Sequence, residues 1–162
     1  VCSALSQRLA AAADMVGATV HRGGTYLCIE GPNFSTRAES NIYRSWGVDI
    51  IGMTNIPEAR LAREAEICYG TVALATDYDC WHEGHEDVSV EAVIAIIQQN
   101  VSTARQIIKE AVLEIAAGWQ TSDCSCDESL KYAIMTTKEL IPEQTRRDLE
   151  PLLGKYLGKS VS

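Results

Sequence analysis

An apolar run that leads directly into a cluster of carboxylates and aromatic rings limits the folds open to this chain. Residues 68–75 are mostly apolar and do not alternate with polar side chains, as is typical of a strand covered on both faces in an α/β sheet. The segment TDYDCW, residues 76–81, follows at once. Side chains just beyond the carboxyl end of such a strand line the ligand crevice. The run therefore predicts an α/β fold with a binding site beside Asp77 and Asp79.

The two carboxylates of this segment are two residues apart, so in extended backbone Asp77 and Asp79 share a face. Such a pair can accept hydrogen bonds from an exocyclic amine or pass a proton to a ring nitrogen. Acidic pairs at strand ends are more often solvated turn residues or helix caps. The pair alone therefore leaves catalysis and a plain turn as open alternatives.

The composition excludes several classes of protein. The chain has 162 residues, 46% of them apolar and 22% charged, which is ordinary for one globular domain. Its formal net charge of -8 argues against a nucleic-acid surface, because phosphate binding needs clustered Lys and Arg. No apolar stretch reaches the twenty or so residues that span a bilayer, and no signal peptide opens the chain. We expect a cytoplasmic protein with no nucleic-acid or membrane partner.

Six cysteines leave their chemistry open, and the closest pair in sequence is Cys124-Ser125-Cys126. This pair is too isolated to form a zinc site by itself, so no metal is predicted. Redox or disulfide chemistry at the pair and no role at all remain alternatives, and a bridge such as Cys2 to Cys68 would suit a hyperthermophilic source. Cys28 and Cys68 are predicted to be buried apolar fillers.

Hydrophobic periodicity predicts helices and strands in alternation. Helices are predicted at residues 4–16 with Ser3 as the cap, at 36–46, from Pro57 onward, between Ser89 and Gly118, and in the tail around 130–140 and 143–157. Strands are predicted at residues 19–21, 25–29 and 49–53, the first two as a hairpin. The alternation predicts a central mixed or largely parallel sheet flanked by helices, with most of the apolar stripe of the long helix packed against the sheet.

Three ordered motifs carry a resemblance to a known family. They are EGPNFSTRAES at residues 30–40, GMTNIPE at 52–58 and the TDYDCW segment at 76–81. Together they resemble the 5′-methylthioadenosine phosphorylases, which belong to the trimeric purine nucleoside phosphorylases. The resemblance extends over residues 1–115, is densest at 25–93 and is weak in the tail.

The resemblance implies a fold and an activity. Residues 1–118 would be the C-terminal part of a nucleoside phosphorylase-like α/β/α domain, and residues 119–162 a helical tail that packs on the same domain or on a neighbouring subunit. The reaction would be phosphorolysis: inorganic phosphate attacks the anomeric carbon of methylthioadenosine, giving adenine and 5-methylthioribose 1-phosphate. The resemblance implies no metal and no cofactor, since phosphate is a co-substrate.

The resemblance also implies roles at the sugar end of the site. Phe34 would flank the purine and sugar, Met53 would lie under the ribose, and Thr54 would bind the phosphate. Val90 and Val93 would lie near the apolar 5′-methylthio group. Taken singly, such apolar residues are more often core, and Thr54 could equally cap the next helix.

At the purine, the resemblance places Asp77 opposite N7 and Asp79 opposite the 6-amino group. An acid at N7 lowers the barrier because the leaving base gains negative charge. Asp77 can act so only if it is protonated or if the proton arrives through a hydrogen bond that tightens late, and burial would favour the protonated form. Related 6-oxopurine enzymes typically carry Glu where this chain has Ser35 and Asn where it has Asp77, so the pattern favours adenine.

Other charged residues of the first motif and its helix, Arg37, Glu39 and Arg44, are predicted to form ion pairs that support the fold. The family also uses an N-terminal part with a Gly-rich phosphate loop and an Arg-His pair, and neither is found in this sequence. We therefore expect a complementary N-terminal chain or segment and a homo-oligomer built on a trimer. Two alternatives stay open: a broad-specificity purine nucleoside phosphorylase, and a non-catalytic fragment that binds purines.

Overall fold

The computed structural model describes residues 1–82, 90–120 and 124–158, without the side chains of Val90 and Ala92. Its helices and strands are α1 (Ser3–Met15), β1 (Tyr26–Cys28), α2 (Arg37–Ser45), β2 (Ile50–Gly52), α3 (Glu58–Glu64), α4 (Val90–Gly118), α5 (Glu143–Asp148) and α6 (Glu150–Leu157). Two single 3₁₀ turns lie at Cys126–Glu128 and Lys138–Leu140.

The β1-α2-β2 unit is of the α/β class that the sequence predicts. β1 and β2 are parallel, with Leu27 opposite Ile51. α2 begins where predicted because Thr36 and Glu39 form a reciprocal capping box that satisfies two free backbone donors. It ends before Gly47, whose φ of 76° suits a glycine.

The predicted hairpin is wrong, because residues 19–21 form no strand in the described chain. β1 pairs with β2 instead, and this pairing is extended by Thr25 and Asp49. The Thr25 amide donates to Asp49 Oδ2 at 2.7 Å, and the Asp49 amide donates to the Thr25 carbonyl at 3.0 Å. Gly23 and Gly24 both have a positive φ, but Thr25, which follows them, pairs with Asp49 and not with the preceding segment.

Residues 68–75, which were predicted to be a strand, do not form one in the described chain. The Cys2 amide donates to the Tyr69 carbonyl at 2.7 Å, and Asn100 Nδ2 donates to the Ala75 carbonyl at 2.8 Å. Several side chains of this segment, Leu74 among them, are exposed. The prediction of a strand covered on both faces is therefore wrong for this chain by itself.

The core of the described chain lies between α1 and α4. Ala12 and Ala13 pack on Ile107 and Ala111, and their small side chains let the two helices approach closely. The predicted packing of the α4 stripe against the sheet is thus wrong, since α4 faces α1. Other apolar residues of α4 are exposed: Ile94, Ile97, Val101, Ile108 and Val112. Within the described residues, no helix is both long enough and apolar enough to span a membrane.

Helix ends deviate from the predictions in ways that capping explains. Cys2, and not Ser3, is the N-cap of α1, because its sulfur accepts from the Leu5 amide at 3.4 Å. The guanidinium of Arg8 donates to the Gly118 carbonyl at 2.9 Å, which places a cation at the C-terminus of α4. α3 ends at Glu64 because Glu66 adopts a left-handed φ of 58°.

The tail contacts the rest of the chain through Glu66. The Leu130 amide donates to Glu66 Oε1 at 3.0 Å, Lys155 Nζ donates to Oε2 at 3.2 Å, and the Tyr156 hydroxyl also donates to Oε1. The predicted helix at 130–140 is wrong, since the segment consists of turns, and the predicted helix at 143–157 is broken at Leu149. Pro151 lies in the first turn of α6, where its missing N–H does no harm.

Candidate ligand-binding cleft

A cleft of about 730 Å³ lies between β2, α2 and the extended segment at 69–79. Residues from three separate parts of the sequence meet in it, and five of the predicted site residues line it: Phe34, Met53, Thr54, Asp77 and Asp79. Val93 is half-buried on α4 and is not among the described lining residues, and the side chain of Val90 lies outside the described part of the structure. The convergence makes this cleft the candidate site.

Asp79 is held in place from two sides. Ser40, a fully buried residue of α2, donates through Oγ to Asp79 Oδ2, and the Cys80 amide donates to Oδ1 at 2.8 Å. A carboxylate has about four acceptor positions, so these two bonds orient Asp79 and leave capacity for a ligand donor. Sequence reasoning missed Ser40, although its place at the end of the first motif was a signal.

Asp77 is less constrained. Its Oδ1 accepts from the Thr76 hydroxyl at 2.5 Å, and the residue is exposed at the cleft. The burial that the sequence argument required is therefore not provided by this chain alone. Asp77 and Asp79 do line the same cleft, as their spacing predicts.

Aromatic rings form one wall of the cleft. The guanidinium carbon of Arg44 lies 3.6 Å from the centroid of the Trp81 ring, a cation–π contact, and Tyr78 stacks on His82 with centroids 4.5 Å apart. Phe34 is 89% exposed at the cleft. A planar apolar ligand would find stacking surfaces here.

The charged residues predicted to support the fold through ion pairs make other contacts among the described residues. Arg37 Nε donates to the Cys80 carbonyl at 3.3 Å, Glu39 belongs to the capping box, and Arg44 covers Trp81. The contacts of Arg37 and Arg44 tie α2 to residues 79–81, which include Asp79.

Hydrogen bonds that sequence reasoning missed fix the opposite wall. Tyr69 donates to Asn55 Oδ1 at 3.2 Å and to Glu58 Oε2 at 3.0 Å, and Thr71 donates to Asn55 Oδ1 at 2.8 Å. Burial, together with the bond to Glu58, raises the pKa of Tyr69, so this phenol stays a donor. The contacts hold the 69–71 segment against α3.

Two glycines permit close contacts at the floor of the cleft. A Cβ at Gly31 would lie 2.8 Å from the sulfur of Met53, and a Cβ at Gly52 would collide with the Tyr26 hydroxyl. Gly31 also has a φ of 73°, which other residues rarely adopt. Side chains at either position would displace Met53 or Tyr26.

The charge of the cleft is unbalanced. Arg44 is the one Lys or Arg among its described lining residues, which also include three carboxylates: Asp49, Asp77 and Asp79. Arg44 is already engaged with Trp81. The described cleft therefore suits donors such as an amine or a protonated ring nitrogen, and it offers little positive charge to an anion.

Away from the cleft, four cysteines meet. The sulfur atoms of Cys2, Cys68, Cys124 and Cys126 all lie within 4.8 Å of one another. Burial raises the pKa of the Cys68 thiol, whereas a backbone hydrogen bond from Cys126 lowers that of Cys124. Cys68 is thus a member of a cluster, and Cys28 and Cys68, both predicted to be buried apolar fillers, are only half-buried.

Comparison with known proteins places the chain in one family. A family model described as the phosphorylase superfamily matches residues 1–113. The chain is 62% identical over 157 residues to an S-methyl-5′-thioadenosine phosphorylase of Geobacter sulfurreducens, covering 97% of this chain and 54% of that protein. It is 48% identical to the protein of that name from Koribacter versatilis, covering 98% of this chain and 53% of that protein. The chain spans about half the length of these curated relatives.

Solved structures show the same relationship. A methylthioadenosine phosphorylase from an Antarctic soil metagenomic library superposes with a TM-score of 0.86 at 43% identity, over 94% of this chain and 54% of that one. A mutant adenosine/methylthioadenosine phosphorylase of Schistosoma mansoni, in complex with adenine, superposes with a TM-score of 0.73 at 33% identity, over 86% of this chain and 54% of that one.

Proposed function

Because the chain belongs to the phosphorylase superfamily, we propose that it forms part of a pentosyltransferase that cleaves 5′-methylthioadenosine with inorganic phosphate. The products are adenine and 5-methylthioribose 1-phosphate. The observation that carries the proposal is the meeting of five predicted site residues, separated by up to 45 positions in sequence, in one cleft. The relatives named above support the choice of substrate.

The two carboxylates act on the base. Asp79, oriented by Ser40 and Cys80, accepts from the 6-amino group. Asp77 provides the acid at N7, where negative charge develops as the glycosidic bond breaks. Thr76 orients Asp77 through its hydroxyl, and the burial that keeps a carboxyl protonated comes from bound substrate and the rest of the protein.

Sugar and phosphate lie toward the floor of the cleft. Met53 contacts the ribose, Phe34 covers the purine and sugar, and Thr54 donates to phosphate. Val90 and Val93 are proposed to contact the 5′-methylthio group at the start of α4. The reaction uses no metal and no cofactor besides the co-substrate phosphate.

The chain needs a complementary polypeptide to complete this site. It exposes 11922 Å², whereas a compact monomer of its 17.7 kDa mass exposes about 7900 Å². The excess includes the apolar face of α4, and large exposed apolar surfaces mark interaction sites. We propose that an N-terminal chain or segment and further copies, in an oligomer built on a trimer, cover this surface and supply the cations that phosphate needs.

The same proposal divides the chain in two. Residues 1–118 are the C-terminal part of the phosphorylase domain, and residues 119–162 are a tail that packs on it. Contacts of Leu130, Lys155 and Tyr156 with Glu66 support packing on the same domain. The proposed location is the cytoplasm.

Phosphate-dependent release of adenine from methylthioadenosine by the full-length protein tests the function. Asp77→Asn should lower kcat by about 100-fold or more, the usual contribution of a positioned acid, while adenine still binds. Asp14→Asn, which alters an exposed ion pair with Arg22, is the matched control and should leave the rate unchanged. Absence of adenine release from the unaltered protein refutes the function, and nearly full turnover by Asp77→Asn refutes only the proton-donor role.

A broader specificity is the second candidate, because the Schistosoma mansoni neighbours are described as adenosine/methylthioadenosine phosphorylases. It predicts comparable kcat/KM values for adenosine and methylthioadenosine. If adenine binds but neither nucleoside is cleaved, the chain is a purine-binding protein without phosphorylase activity.

A further inference from the structure

We propose that Cys2, Cys68, Cys124 and Cys126 bind one zinc ion in a structural site separate from the cleft. The four sulfur atoms all lie within 4.8 Å of one another. The residues come from distant parts of the sequence, so their meeting is a result of the fold and not of local spacing.

The distances fit a tetrahedral thiolate site. Zn–S bonds of about 2.3 Å place the sulfur atoms of a tetrahedral site roughly 3.8 Å apart. Cys68 Sγ and Cys124 Sγ are 3.3 Å apart, and the largest separation in the cluster is within 4.8 Å. A tetrahedral site would therefore need these separations to change by only about an ångström or less. Two disulfides would need only two close pairs, whereas here every pair of sulfur atoms is close.

The surroundings of the sulfur atoms favour thiolates bound to a metal. Cys2 and Cys126 are only 3% and 9% exposed, so water is largely excluded. The Leu5 amide donates to Cys2 Sγ at 3.4 Å, and the backbone of Cys126 donates to Cys124. Backbone N–H groups directed at sulfur orient metal ligands and spread their negative charge.

The binding step involves no oxidation. Each of the four thiols releases its proton to solvent, and four Zn–S bonds form. The product is a doubly negative tetrahedral centre, and closed sites with four protein ligands are structural rather than catalytic.

The site would join three segments of the chain. Cys2 begins α1, Cys124 and Cys126 begin the tail, and Cys68 immediately precedes Tyr69 of the cleft wall. The Cys2 amide also donates to the Tyr69 carbonyl. Zinc would therefore hold the tail and the N-terminus of α1 to the segment that leads to Asp77.

The test is metal analysis of the full-length protein, with whatever segment completes this chain, purified under reducing conditions. We expect about one zinc per chain. Cys124→Ser and Cys126→Ser should each lower zinc affinity by more than about 100-fold, since even changes in outer-shell partners cost about 10–100-fold. Cys28→Ser and Cys80→Ser, outside the cluster, are the matched controls and should retain zinc.

A second measurement serves if the cluster variants do not fold. Zinc removed from the unaltered protein with a chelator and replaced by Co²⁺ should give the thiolate charge-transfer bands and intense visible absorption of a tetrahedral cobalt–sulfur site. No bound metal, metal that survives loss of both Cys124 and Cys126, octahedral cobalt spectra, or four cysteines paired as disulfides in freshly purified protein would each overturn the proposal.

Discussion

Replacing Ser40 by alanine tests whether the cleft recognises its ligand through an oriented Asp79. Ser40 is fully buried in α2 and donates to Asp79 Oδ2. Its loss leaves Asp79 with the bond from the Cys80 amide, so the carboxylate can rotate away from the position in which it would meet an exocyclic amine. Binding of the purine should suffer, while reactivity of the bound nucleoside should change less.

The size of the effect can be worked out from the buried hydrogen bond that is lost. A hydrogen bond to a charged group contributes about 1.5–3 kcal/mol, and Ser→Ala in a helix returns about 0.5 kcal/mol through higher helix propensity. The net loss in folding stability is therefore about 1–2.5 kcal/mol. If the same bond positions Asp79 for the ligand, KM for methylthioadenosine should rise about tenfold, since 1.4 kcal/mol is tenfold in an equilibrium constant.

The assay pairs two variants of one helix. Ser45, also in α2, donates to the Ile42 carbonyl at 2.6 Å and does not line the cleft in the described structure. Ser45→Ala measures the helix-propensity change without any effect on Asp79. Denaturant unfolding gives the stabilities, and steady-state kinetics give kcat and KM separately. We expect a raised KM with nearly constant kcat for Ser40→Ala only.

A double-mutant cycle with Asp79→Asn isolates the pair. Contacting residues that act together show a coupling energy of about 0.5–3 kcal/mol. The double variant should therefore lose less stability than the summed losses of the two single variants. If Ser40→Ala matches Ser45→Ala in both stability and KM, or if the two changes at Ser40 and Asp79 are additive, the positioning role is refuted.

Two further predictions concern contacts outside the reacting groups. Burial alone would raise the pKa of Glu66, but hydrogen bonds from Tyr156, Leu130 and Lys155 outweigh it and lower that pKa below the ordinary 4.5. The ionised Glu66 therefore stabilises the folded chain above about pH 4.5, and this stabilisation is lost as the pH falls through the pKa of the folded state. Glu66→Gln should flatten this acid-side decline in urea midpoints, and an unchanged decline contradicts the assignment. Arg44→Ala should cost about 0.5–1 kcal/mol by removing the cation–π contact with Trp81 and should alter tryptophan fluorescence, whereas unchanged stability and emission would show that the contact contributes nothing.

Local signals in the sequence predicted those parts of the fold that local interactions determine. The capping box of Thr36 and Glu39 and the glycine at 47 placed α2 within a residue of its observed bounds. The resemblance carried by three motifs predicted that Phe34, Met53 and Asp77 share one site, and all three line the cleft. Each of these predictions rests on a cap, a turn or a motif within a few residues.

The errors concern pairings between distant segments. Thr25 was predicted to continue a hairpin, but a strand pattern does not specify its partner, and Asp49 provides it. The apolar stripe of α4 was predicted to pack against the sheet, but such a stripe does not specify its partner, and in the described structure α1 covers only part of it. Cys68 was predicted to be an apolar filler, with a bridge to Cys2 left as an alternative, because nothing local indicates that Cys2, Cys124 and Cys126 all lie beside it. Sequence spacing cannot reveal contacts that exist only once the chain has folded.

The charge of the cleft suggests how the two substrates divide between this chain and its proposed complement. The proposed roles of Asp77 and Asp79 are to bind and protonate a departing base, but together with Asp49 they make the cleft negative, and Arg44 is engaged with Trp81. A dianionic phosphate would enter such a cleft only if cations from elsewhere outweigh these carboxylates. Purine affinity should therefore depend mainly on this chain and hardly on salt, whereas phosphate affinity should depend on the complement and fall with ionic strength.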